Sequence, residues 1–313
     1  MSLKARVRWL MRSGIAVSAK EWQRRTRDSR NVDLVLHSLL ASPSMPPLHF
    51  PAQFAEIVRG CIEEEAAHNL RELKVESQMT DLASKRFATL KEQLRRGLPP
   101  VELSVASDIA LVADRTRNLP DSLDVRNWAG DIGLHFHSSS SFAGKGRVLY
   151  NIIRFMRPER CLELGTAYGM SGLFILAGLK KFSPAGALTT VDGWEKLVSI
   201  SSPILKERYP DMVSCHFGRT ETLVPELVKS LGTIDFLFHD CGHSRAQYIN
   251  DFANVLNNLA PGAVVLFDDI RWEDPRFRDD NPDTYGGWTA VAGNSRVRQA
   301  FEIDDSLGVL LLN

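Results

Sequence analysis

The 313-residue sequence predicts an α/β fold: a mostly parallel sheet covered on both faces, ending in a hairpin-like tail and preceded by a helical N-terminal region. Three observations carry this. Short apolar runs alternate with helical stretches from residue 160 to residue 267, the pattern of strands buried on both faces between crossover helices. A glycine-bearing turn, Gly165-Thr-Ala-Tyr-Gly169, separates the first strand from its helix. Acidic or glycine residues follow the successive strands, at the edge where open parallel sheets bind ligands.

Residues 1–140 read as the helical region and 141–313 as the sheet domain. Leu34–Leu40 is apolar, and three prolines between Ser42 and Pro47 interrupt it. Phe54 to Leu94 carries apolar residues at helical spacing, including Leu70 and Leu73, and Gly97-Leu-Pro-Pro100 ends that stretch. Val101–Thr116 is a further helix, and Asn118–Phe142 a connector or flap. Gly144–Met156 reads as a helix leading into the first strand. Strands are predicted at Arg160–Leu164, Ala187–Val191, Val213–Phe217, Ile234–His239 and Ala263–Phe267. The helices between them are Ser171–Lys181, Leu197–Tyr209, Thr220–Leu231 and Ser244–Leu259, the last opened by a Ser244/Gln247 capping box. Gln299–Ile303 and Val309–Leu312 form the hairpin-like tail. The long segment Arg271–Gly287 between strand five and that tail reads as a loop over the ligand edge, with Trp272, Tyr285 and Trp288 either walling an acceptor pocket or packing in the core.

Zero formal net charge argues against a general polyanion binder, and the basic residues Arg24, Arg25, Arg27 and Arg30 read as a solvated helix face. Nucleic acid is therefore disfavoured. Cys61, Cys161, Cys215 and Cys241 are scattered, against a zinc site or disulfide framework and consistent with a reducing, cytoplasmic setting. No apolar run reaches a membrane span, and Arg12 interrupts the apolar stretch Trp9–Val17, against a secretory signal.

The ligand edge holds the candidate site. Glu163 lies inside strand one, and Gly165, Thr166, Gly169 and Ser171 belong to the turn and the start of its helix. Asp192 and Gly193 follow strand two, Arg219 and Thr220 strand three, Asp240 and His243 strand four, and Asp268 and Asp269 strand five. Ala167 stands where a dinucleotide fingerprint needs its middle glycine, which points away from NAD. Gly169-Met-Ser171-Gly lacks the spacing of a hydrolase nucleophile elbow.

Three stretches carry a family resemblance: Leu162-Glu-Leu-Gly-Thr-Ala-Tyr-Gly-Met-Ser171, Ile234-Asp-Phe-Leu-Phe-His-Asp-Cys-Gly-His-Ser244, and Leu259-Ala-Pro-Gly-Ala-Val-Val-Leu-Phe-Asp-Asp269. Together they resemble the class I S-adenosylmethionine (SAM)-dependent methyltransferases, and within them the Methyltransf_24 and catechol O-methyltransferase-like O-methyltransferases. The resemblance runs from about Ser141 to the C-terminus. It implies a Rossmann-like sheet with a C-terminal antiparallel hairpin, and SAM held by Glu163, Gly165, Thr166, Gly169, Ser171, Asp192, Gly193, Arg219, Thr220 and Asp240. By position it implies a divalent cation on Asp240, Asp268 and Asp269. Hard carboxylate oxygens suit Mg²⁺, Mn²⁺ or Ca²⁺, and three crowded carboxylates call for a counter-charge.

The expected reaction is methyl transfer to a hydroxyl of a small-molecule acceptor. Asp240 and His243 are its catalytic residues, with His243 standing where relatives carry a lysine base. The alternatives are a metal-independent O- or N-methyltransferase, or a SAM-binding protein without catalysis. Residues 1–140 would then serve as a lid or as a homodimer interface.

Overall fold

The computed structural model describes residues 67–75, 81–102, 105–106, 109, 143–271 and 283–313. The expectations for Leu34–Leu40, for Asn118–Phe142 and for Trp272 lie outside these residues.

One eight-stranded sheet organises the described chain, in the order β1-β7-β8-β6-β5-β2-β3-β4. Its parallel part comprises β2 (Arg160–Leu164), β3 (Ala187–Asp192), β4 (Val213–Phe217), β5 (Ile234–His239) and β6 (Leu259–Phe267). The tail is an antiparallel pair, β7 (Val297–Ile303) and β8 (Leu307–Leu312), with β8 docked antiparallel on β6.

Strict alternation along the central strands divides the core in two. Cys161, Phe236, Phe238, Val264 and Leu266 face one buried cluster, while Leu162, Leu164, Leu237, Val265 and Phe267 face the other. The first face is covered by α1 (Leu82–Arg96), α2 (Ala143–Met156), α3 (Met170–Phe182) and α4 (Glu195–Arg208), the second by α5 (Thr220–Leu231), α6 (Arg245–Leu256) and α7 (Thr284–Ala292).

The helical reading of Phe54–Leu94 is corrected at Leu70–Lys74, which forms β1, paired antiparallel with β7. Leu70 and Leu73 satisfy a helical spacing, but the pairing partner lies far away in sequence. The strand is secured from both sides. Asp304, in the β7–β8 turn, accepts from the Asn69 backbone amide and contacts His68 Nδ1 at 2.5 Å. Glu72 takes Lys91 Nζ at 2.8 Å and Arg95 Nη2 at 2.5 Å from α1.

The largest of the remaining boundary shifts concern β6 and α6. Strand β6 begins at Leu259 rather than Ala263, because Leu259 already pairs with Ile234 before a register shift. Helix α6 accordingly stops at Leu256. Only half of the capping box forms. Ser244 Oγ accepts from Gln247 N at 3.2 Å, but the Gln247 side chain instead donates to Thr220 Oγ1 and Asp251 Oδ2, both at 2.8 Å. Ser244→Ala is expected to lower unfolding stability by about 1 kcal/mol in a urea titration; an unchanged midpoint would show the cap to be idle.

Candidate active site

The turn after β2 is built from three residues with left-handed φ: Gly165 at +104°, Ala167 at +42° and Gly169 at +81°. Gly165 has an additional reason to be glycine. A Cβ there would lie 2.0 Å from the Asp240 carbonyl oxygen, so the loops after β2 and β5 touch backbone to backbone. Asp240 N donates to Leu164 O at 2.7 Å, and Gly165 N to Val191 O at 2.8 Å, tying the turn to both neighbouring strands.

Asp192, at the end of β3, holds this turn from the side. Its Oδ2 accepts from Ala167 N and its Oδ1 from Trp194 N, both at 2.8 Å. Burial raises its pKa, and these amide bonds partly offset the effect. Gly193 beside it has open space where a side chain would be.

Glu163 lies beneath the turn rather than on its surface. It is fully buried, and its Oε2 accepts from Thr190 Oγ1 at 2.6 Å; Thr190 Oγ1 also contacts Thr166 Oγ1 at 2.6 Å. Burial lifts the Glu163 pKa from 4.5 to about 7, against hydrogen bonds from Ser171 and Thr190. Glu163, Thr166 and Ser171 thus form a buried polar layer under the glycine turn. Arg219 is the N-cap position of α5, and Thr220, its first residue, is bonded to Gln247.

The carboxylates after β5 and β6 do crowd together. Oxygens of Asp240 and Asp269 and a ring nitrogen of His243 lie within 4.8 Å of one another. The nearest approach of His243 Nε2 to Asp269 Oδ2 is 4.0 Å. Burial raises the Asp240 pKa well above the ordinary carboxylate value, and Asp268 and Asp269 push it the same way. Burial lowers the His243 pKa, which keeps its ring neutral near pH 7.

Asp268 departs from the expected arrangement. Its Oδ1 accepts from Asp269 N at 2.7 Å and from Lys145 Nζ at 2.6 Å, and the same ammonium reaches Asp269 Oδ1 at 2.9 Å. Lys145, from the first turn of α2, is thus the functional candidate that sequence reasoning missed. Burial opposes its charge, but Asp268 and Asp269 outweigh that, and its pKa lies above the ordinary lysine value. The same pairing restrains Asp268, which burial nonetheless lifts to about 6. Nothing local in Gly144-Lys145-Gly146 signals this role, which exists only through space.

His239 is a core residue. It is fully buried in β5, 2.9 Å from Asp251 Oδ2, and stacked on Phe267. Trp288 also belongs to the core, on α7 rather than in a loop, and donates Nε1–H to Glu302 Oε1 at 3.0 Å. Tyr285 lies under the Arg271 guanidinium, 4.0 Å from its ring centre. Among the described residues no helix is long and apolar enough to cross a membrane.

Residues 162–270 match the Methyltransf_24 family, a methyltransferase domain. The catechol O-methyltransferase of Mus musculus is 28% identical over 151 residues, 46% of this chain and 51% of that protein. The chain therefore spans about half the length of this curated relative. An S-adenosylhomocysteine-bound methyltransferase from Podospora anserina shares the fold at 17% identity and a TM-score of 0.51, over 77% of this chain and all of that one. The sheet order and the glycine turn with its pinning aspartate thus accompany a match, over residues 162–270, to the Methyltransf_24 methyltransferase domain.

Proposed function

We propose that the chain methylates a hydroxyl oxygen of a small molecule, using SAM. The observation that carries this is the juxtaposition at one sheet edge of the Gly165–Gly169 turn, pinned by Asp192, with the Asp240, His243 and Asp269 cluster. The similarity to mouse catechol O-methyltransferase supports oxygen as the accepting atom.

SAM, when bound, supplies a methyl carbon already activated by its positive sulfur. The work left to the protein is alignment and proton removal. The left-handed turn leaves bare backbone at the end of β2, and Asp192 keeps lone pairs for ribose hydroxyls beyond those given to Ala167 and Trp194. Arg219 and Thr220, at the N-terminal end of α5, would line the adenine side of a bound SAM. As the acceptor oxygen takes the methyl group, its proton passes to the neutral His243 ring.

Metal assistance, expected on Asp240, Asp268 and Asp269, requires these carboxylates to face a common ion. Asp240 and Asp269 offer hard oxygen donors for Mg²⁺ or Mn²⁺, with a softer ring nitrogen of His243 beside them. Asp268 does not join them, because Lys145 engages it together with Asp269. This favours the metal-independent version of the same reaction.

Calorimetry with SAM and S-adenosylhomocysteine tests the cofactor, and a mass-spectrometric screen of hydroxylated acceptors tests the transfer. Absence of binding by either compound overturns the proposal, and turnover unchanged by EDTA removes the metal from it. Asp192→Ala is expected to weaken SAM binding about ten- to a hundredfold, through lost charge-assisted bonds and a loosened turn. An affinity within twofold of wild type would take Asp192 out of the site.

A further inference from the structure

We propose that the ammonium of Lys145 is the resident cation of this carboxylate cluster, occupying the position from which a divalent ion would otherwise balance Asp240, Asp268 and Asp269. The inference deepens the methyl-transfer reading of the same site, but it rests on the geometry of the carboxylates alone.

One ammonium bridges two carboxylates, at 2.6 Å to Asp268 Oδ1 and 2.9 Å to Asp269 Oδ1. The Asp268 side chain is only 4% exposed, whereas that of Lys145 is 35% exposed, so the lysine enters from the open side and reaches inward. Its backbone is fixed. Gly146 lets α2 lie directly on the Phe174 ring of α3, where a Cβ would come within 2.2 Å of the ring. The adjoining Arg147 guanidinium and, about one turn further on, the Asn151 amide grip the carbonyl oxygens of Leu98 and Pro99 at 2.7 to 3.3 Å. A helix held on both sides presents Lys145 to the cluster without a long, mobile reach. A divalent ion approaching Asp240, His243 and Asp269 must therefore displace this ammonium from Asp269 or sit beside a like charge.

Mn²⁺ binding to the full chain, followed by the loss of the free-ion EPR signal and with no SAM present, tests this apart from the methyl-transfer reading. The wild type is expected to show no saturable site at millimolar Mn²⁺. Lys145→Met is expected to bind at least about tenfold more tightly, since a doubly charged ion about 4 Å from an ammonium is repelled by more than that factor even at the permittivity of water. Lys145→Arg should stay closed to the ion, and adding Asp240→Asn to Lys145→Met should abolish the gain. Saturable micromolar binding by the wild type overturns the proposal by itself, whatever the variants do. A folded Lys145→Met that binds no more tightly than wild type overturns it as well. Should that variant not fold, Lys145→Gln, which keeps the length and a donor, is held to the same criterion.

Discussion

Gly165→Ala is expected to lower folding stability by at least about 3 kcal/mol and to abolish measurable SAM binding. The residue sits at φ +104°, outside the range L side chains readily adopt, and its Cβ would meet Asp240 O at 2.0 Å and the adjoining carbonyl carbon at 2.6 Å. Both obstructing atoms are backbone, so no rotamer change relieves the clash. The loops after β2 and β5 must part, carrying the glycine turn away from Asp240. Gly193→Ala provides the contrast, because nothing lies within 4 Å of its Cβ position; it should unfold within about 0.5 kcal/mol of wild type. Urea unfolding of both variants decides the matter, and a Gly165→Ala protein within about 1 kcal/mol of wild type would refute this account of the turn.

The second large effect appears as a pH dependence. Glu163 is fully buried, and its pKa rises from 4.5 in the unfolded chain to about 7 in the native state, chiefly through burial. Between those values the native protein keeps a proton that the unfolded chain has released. Wild-type stability contributed by this group is therefore present at low pH and lost as pH rises through the window. Glutamine does not titrate. The stability of Glu163→Gln relative to wild type should accordingly climb by about 3 kcal/mol from about pH 4 to about pH 8. A difference that stays flat across that range would mean that Glu163 is solvated or paired in solution. Taking the difference between two proteins at each pH cancels the contribution of Asp268, which also titrates with a raised value, and leaves the Glu163 titration together with its charge coupling to Asp192 and Asp240.

The parallel strands were legible because burial on both faces leaves continuous apolar runs bounded by turn residues. Strands β2 and β5 start and stop where such runs do, whereas the edge strand β4, only partly buried, mixes polar and apolar residues. The strand-end residues were legible for a related reason: in a parallel sheet every strand delivers its last residue to the same edge, so Asp192, Asp240 and Asp268 share that edge by topology. What could not be read is what depends on contacts across the fold. Lys145 meets Asp269 over a separation of 124 residues. Glu163 stands before the glycine turn in sequence, but its burial beneath that turn and its bond to Thr190 exist only in the fold. Strand β1 reads as helix in the sequence because Leu70 and Leu73 suit a helix equally well, and because the charged Arg71, Glu72 and Lys74 leave no continuous apolar run.

That first strand bears on how the protein is made. Leu70 pairs with Ile303 and Glu72 with Phe301, so one border of the sheet is assembled from early and late parts of the chain. During synthesis the β1 segment leaves the ribosome long before its partner exists. Helix α1, whose Lys91 and Arg95 hold Glu72, gives it a local place to wait. Completion of that border is a long-range closure, the kind of pairing in which loop entropy must be met before contacts repay it.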